Sequence, residues 1–144
     1  MLEIKNKKDC TGCHACWAVC PRKCIQMKPD EEGFLYPEIQ LDQCIDCGAC
    51  EKVCPVLHPA DTCYPLEVYA ARNRDETVRM NSSSGGVFTA LAEEIIRRGG
   101  VVFGASFNED WQVVHSFTEQ SEGLAAFRGA KYVQSMIGDA YLQV

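Results

Sequence analysis

Eight of the chain's ten cysteines fall into two runs of identical spacing. Cys10, Cys13, Cys16 and Cys20 read C-x2-C-x2-C-x3-C and are followed by Pro21; Cys44, Cys47, Cys50 and Cys54 repeat the pattern and are followed by Pro55. That is the bacterial spacing for iron–sulfur ligation. Three thiolates at two-residue separations in a tight loop can wrap three corners of a cubane. A fourth, three residues on, is expected to point away into a following helical turn. Where two such runs share a chain, the fourth cysteine of each ligates the other cluster. The expected ligand sets are therefore Cys10, Cys13, Cys16 and Cys54 for one [4Fe–4S] cluster, and Cys44, Cys47, Cys50 and Cys20 for a second. Each proline lacks an N–H and fixes φ where the chain must change direction. Gly12 and Gly48, among the first three ligands of their runs, suit tight turns that bring backbone N–H groups toward sulfur. A structural zinc site also uses C-x2-C pairs, but as two pairs rather than four cysteines in one pass with proline behind.

Compartment and partners follow from composition. Nine of the ten cysteines precede residue 55, and the opening MLEIKNKKD holds no apolar signal segment. A disulfide-stapled secreted domain does not fit; a reducing, cytoplasmic address with metal-binding thiols does. With Lys+Arg 14 against Asp+Glu 20 the formal net charge is −6, which argues against a nucleic-acid partner. No apolar run approaches the roughly 20 residues of a membrane span. Residues 1–63 hold seven Lys/Arg and ten Asp/Glu, a balance of −3 that disfavours a further electron and suits a low potential.

Around the runs, residues 24–44 read as strand, acidic turn and strand, with Ile25, Met27, Phe34, Tyr36 and Ile39 as packing residues and 30–33 as the turn. The expected first domain, residues 1–63, has two short antiparallel hairpins and two helical turns, with the clusters serving as its core. Cys24 and Cys63 read as small buried hydrophobes. His14 is expected in a loop near the first cluster, His58 on a surface turn, and Trp17 as a shield against water.

Residues 64–144 contain no cysteine. Expected elements are a strand over 66–73; a helix through VFTALAEEIIRR capped by one of Ser82, Ser83 or Ser84 and stopped at Gly99-Gly100; and strands over 101–107 and 111–119 joined by Asn108–Asp110. A short helix near Ser121, a strand over 131–135 and a helix near Asp139 follow, with Glu94–Arg98 and Glu93–Arg97 as i,i+4 pairs. Trp111 reads as core packing and His115 as a packed or edge histidine rather than a ligand. A helix that starts six residues before the last one has little to bury, so the chain is expected to be a piece of a longer protein. The Ser-Ser-Ser-Gly-Gly segment carries two readings: a phosphate or flavin contact at a helix N-terminus, or a plain cap with a close-packed turn. Lys131 is either a cofactor contact or a solvent lysine, and Arg128 is open in the same way.

The dicluster run followed by SSSGGVFTALAEEIIRRGGVVFGASF and then FRGAKYVQS resembles the coenzyme F420 hydrogenase/dehydrogenase beta-subunit family. The resemblance implies an α+β chain: a bacterial dicluster ferredoxin-like domain (1–63), then the start of the beta-subunit domain (64–144), a partial α/β domain whose large C-terminal part lies beyond Val144. It implies two [4Fe–4S] clusters that relay single electrons between a partner protein or subunit and a flavin. FAD or FMN, with F420, would bind in the full-length protein. Ser83, Ser84, Gly85, Gly86 and Lys131 are the implied cofactor contacts, this piece alone is not catalytic, and a homo-oligomer is an expected state. A ferredoxin-like carrier whose second half only docks a partner is the other reading.

Overall fold

The computed structural model describes residues 2–61 and 63–144. It is α+β, with short helices and two two-stranded antiparallel sheets. Two compact units emerge: residues 1–63 with Tyr141–Val144, and Tyr64–Ala140.

In the first unit a 3-10 turn (Lys7–Asp9) leads to helix α1 (Ala15–Val19), strands β1 (Ile25–Pro29) and β2 (Leu35–Ile39), and helix α2 (Ala49–Lys52). The hairpin pairs Ile25 with Ile39 and Met27 with Pro37. Ile25 and Met27 turn inward while Gln26 and Lys28 face solvent, the period-two pattern of a half-buried strand. Asp30 builds the turn: its carboxylate accepts from the Glu32 and Phe34 N–H groups, both at 3.0 Å. It also accepts from Lys7 Nζ at 2.9 Å, and Lys7 lies 4.1 Å above the Tyr36 ring. That lysine, first of all, and the turn N–H groups hold the Asp30 carboxyl below its ordinary value.

Only one hairpin forms among the described residues of this unit; the second expected one has no assigned strands. The helical turns also sit elsewhere than expected. Each starts one residue before the third cysteine of its run and ends before the fourth, so Cys16 and Cys50 lie inside α1 and α2. Both are entered through a left-handed residue, His14 (φ 62°) and Gly48 (φ 72°). The preceding turns use Gly12 (φ 61°) and Asp46 (φ 50°). The two runs therefore repeat the same backbone path, with glycine and a side-chain-bearing residue exchanged between the halves.

The second unit holds α3 (Glu76–Met80), α4 (Val87–Arg97), β3 (Val102–Phe107), β4 (Val113–Thr118), a 3-10 segment (Ser121–Phe127) and the start of α5 (Ala140–Gln143). Helix α3 is not legible in the hydrophobic pattern, yet Asp75 caps it by accepting from Thr77 and Val78 N–H at 2.8 and 3.1 Å. Helix α4 is capped by Gly86 in the left-handed conformation, not by a serine. Asn73 explains why: it donates through its backbone N–H to the Gly85 carbonyl at 2.6 Å and through Nδ2 to the Gly86 carbonyl at 3.3 Å, fixing the turn from below. Ser82 is engaged elsewhere, donating to the Val78 carbonyl at the end of α3. At the other end Gly99 and Gly100 donate to the Ile96 and Ile95 carbonyls at 2.8 and 2.9 Å, a Schellman closure. Arg98 pairs with Glu94 as expected, while Arg97 also takes Glu94 rather than Glu93.

The β3–β4 hairpin forms with Phe103 opposite Phe117, and Asn108 organises its turn by accepting from Asp110 and Gln112 N–H. Trp111 belongs to that turn at φ 59° and is 81% exposed, not core. Residues 66–73 and 131–135 are not strands. The first has β-forming residues but no ladder partner, and Leu66, Val68 and Tyr69 stand exposed. The second gives way to a single parallel bridge one residue later, Val114 to Met136. The core beneath the hairpin centres on Leu124, fully buried, with Thr89 and Ala92 from α4. Phe127 covers Gly104, where a Cβ would meet its ring at 2.9 Å. Leu124→Ala is expected to destabilise this unit by about 2–5 kcal/mol, read from a guanidinium unfolding curve.

Candidate metal centres and cofactor cavity

Two cavities in the first unit are walled by cysteine. One is lined by Cys10, Cys13, Cys16 and Cys54. The other is lined by Cys44, Cys47, Cys50 and Cys20. Each takes three cysteines from one run and the fourth from the other. The chain path explains the exchange: α1 and α2 carry the third cysteine of each run, and the fourth follows at the helix end, aimed at the opposite cavity. Leu2, Ile4 and Met27 line the first cavity, and Ile25 and Ile39 the second. Among the described residues no three His, Cys, Asp or Glu side chains converge on a point suited to a single ion. Sulfurs spaced around a chamber fit a multi-iron cube rather than tetrahedral zinc.

The thiols differ in character. Burial pushes Cys16 up to about 11. Burial also raises Cys20, but hydrogen bonds from the Cys24 N–H, the Cys24 thiol and the Arg22 and Lys23 N–H groups outweigh it, and the net shift is downward. Cys20 is thus biased toward the thiolate, the form that binds metal. Cys24 is buried as expected, 3.5 Å from the Cys20 sulfur, and burial followed by hydrogen bonding to Cys20 raises it to about 11. It also lines the second cavity, a position its spacing does not disclose. Cys63 is exposed rather than buried. His14 is buried on the wall of the first cavity, edge-on to Trp17 with ring centroids 6.2 Å apart. His58 is exposed in a turn. His115 sits in β4 with Nδ1 2.8 Å from the Ser135 hydroxyl.

The second unit has its own cavity, of about 450 Å³ and partly open to solvent. Ser83, Ser84, Gly85 and Gly86 form one wall, and Phe127, Arg128 and Gly129 another. Gly85 is required by packing, because a Cβ there would lie 2.5 Å from the Ala71 carbonyl oxygen. Lys131 does not line this cavity; its ammonium donates to the Ala126 and Arg128 carbonyls at 3.0 and 3.1 Å. The residue that sequence reasoning leaves undecided and the fold brings to the wall is Arg128. Its partner there, Thr89, lies 39 residues away and carries no local signal.

Comparison with known proteins finds matches to two stretches of the chain. A 4Fe-4S dicluster domain model matches residues 9–57, and the model for the coenzyme F420 hydrogenase/dehydrogenase beta subunit N-terminal region matches residues 68–141, just over half of the chain. The chain is 26% identical to a subunit of the F420H2 dehydrogenase of Methanosarcina mazei, over 95% of its own length and 42% of that protein's. It therefore spans about two-fifths of that relative. It is 33% identical to the VorC subunit of the ketoisovalerate oxidoreductase of Methanothermobacter marburgensis, over 50% of this chain and 86% of that one. It is 38% identical to a ferredoxin of Mycolicibacterium smegmatis, over 58% and 71% respectively. The chain is an iron–sulfur electron-transfer module with 4Fe-4S clusters, related to ferredoxins and to an F420H2 dehydrogenase subunit. It belongs to the coenzyme F420 hydrogenase/dehydrogenase beta-subunit family.

Proposed function

We propose that this chain passes single electrons between a redox partner, as a separate protein or a neighbouring subunit, and a flavin or F420-type deazaflavin site. One cluster is assigned to Cys10, Cys13, Cys16 and Cys54 and the other to Cys44, Cys47, Cys50 and Cys20. The observation that supports this most is the reciprocal lining of the two cavities, three sulfurs from one run and one from the other. A bound flavin would supply the conversion between hydride transfer and single-electron steps. The chain's own contribution is to hold, orient and shield. The cysteines grip, and aliphatic side chains and Trp17 pack against the core that holds Cys16, Cys24 and Cys54. In the second unit Ser83 and Ser84 offer hydroxyl donors, and the Gly85-Gly86 turn lets a ligand approach the backbone. Lys131 contributes by fixing the Arg128 carbonyl. The unit boundary near residue 63 is taken as the boundary between electron carrier and cofactor-facing domain. A reducing cytoplasm suits ten free cysteines, and no helix among the described residues is long and apolar enough to cross a membrane.

One observation favours the alternative of a carrier whose second unit only docks a partner. Val87, Phe88, Leu91 and Ile95 form an exposed apolar face on α4. The two readings separate in an absorbance spectrum of the anaerobically purified full-length protein. Flavin bands above the broad iron–sulfur shoulder are expected. A shoulder alone, unchanged after incubation with FAD, FMN or F420, would leave only the docking role.

A further inference from the structure

We propose that Arg128, aimed by Thr89, is the anion anchor of the second unit's cavity and takes the phosphate of a phosphorylated flavin. The inference rests on the flavin reading above and adds the residue that would hold the ligand's charged end.

Arg128 is half-buried on the cavity wall, and its Nε donates to Thr89 Oγ1 at 3.2 Å. Thr89 is 1% exposed, on the inner face of α4. A long side chain with about 2 kcal/mol of rotamer entropy is thus held at its neck by a buried hydroxyl. The remaining guanidinium donors meet no acceptor among the described residues, and no carboxylate lines the cavity. Arg128 therefore faces this cavity with no carboxylate on its wall to neutralise it. The Ser83 and Ser84 hydroxyls share the cavity and likewise lack a partner among the described residues. Ser82 does not contribute, since its hydroxyl is held by Val78. Lys131 adds a second positive charge behind Arg128 and pins its carbonyl. The donor set is therefore a fork-shaped cation with two hydroxyls and no competing acid. That set matches a phosphate, which a guanidinium meets with two parallel N–H donors. It offers nothing specific to an uncharged ring system.

The test uses anaerobically purified holoprotein and three probes by fluorescence titration: riboflavin, FMN and FAD. Arg128→Gln should weaken FMN and FAD roughly 10- to 100-fold, as expected for loss of a charge-assisted hydrogen bond, and leave riboflavin unchanged. Arg128→Lys should recover part of the loss. Thr89→Val keeps the buried shape and should lower FMN affinity by a smaller factor, again without affecting riboflavin; a purely structural threonine would move all three probes together. If Arg128→Gln leaves the FMN-to-riboflavin affinity ratio unchanged, the anchor is wrong. If the wild-type protein binds no flavin of any kind, the flavin reading falls by itself. Calorimetry with inorganic pyrophosphate then decides the anchor: binding by the wild type that is lost in Arg128→Gln upholds it, and no binding by the wild type overturns it.

Discussion

Stripping iron anaerobically from the purified protein is expected to unfold the first unit and leave the second in place. The reason lies in what the first unit buries. Among the described residues its core is Leu2, Cys16, Cys24, Ile25 and Cys54. Cysteines outnumber aliphatic residues there, and Cys16 and Cys54 face the first cavity. About sixty residues with so little aliphatic burial cannot offset their own conformational entropy. Helices of five and four residues are far below what stands alone in water. Metal binding is then the folding energy. Far-ultraviolet circular dichroism should lose the first unit's contribution. Amide exchange should become fast over residues 2–61 while α4 and the β3–β4 hairpin stay protected. An apo spectrum that overlays the holo spectrum would refute this. Reloading should depend on pH with a definite sign. Each thiol must shed a proton to bind iron, so cluster recovery should fall as the solution is acidified.

The second large effect tests the exchange of sulfurs between the runs. Cys54→Ala should remove the cluster assigned to Cys10, Cys13 and Cys16, halving bound iron and acid-labile sulfide. The double variant Cys10→Ala/Cys54→Ala should lose no more iron than either single variant, because both residues serve one cluster; non-additivity of this kind marks groups that act as a unit. Cys10→Ala/Cys20→Ala should lose nearly all iron. If each run instead served its own cluster, the two double variants would trade outcomes. Cys63→Ala, at an exposed position, should leave iron content unchanged and serves as the control.

The legible parts of this fold are those fixed by local chemistry. The cysteine spacing, the Asp30 turn, the Gly99-Gly100 stop and the Asn108 turn each act within a few residues, and each appears in the structure where the sequence places it. Elements that need a distant partner depart from expectation. Residues 66–73 have strand-forming side chains, but a strand exists only with a neighbour to bond, and none among the described residues supplies it. The serine cap on α4 gives way because Asn73, on the far side of helix α3 in the chain, already holds the Gly85 and Gly86 carbonyls. Trp111 reads as core from its size alone, whereas the hairpin turn forces it into a left-handed, exposed position. The cavity of the second unit is legible only in part: its serines and glycines are visible as a motif, but the approach of Arg128 to Thr89 is a tertiary event.

The reciprocal lining of the cysteine chambers bears on biosynthesis. Under the proposed ligand sets, the chamber supplied mainly by the later run gains its last sulfur at Cys50, and the earlier one gains its last at Cys54. Neither inorganic cube can be seated on a nascent chain that has released only the first run from the ribosome. Both ligand sets become complete within four residues of each other, at Cys50 and Cys54, once the second run has emerged.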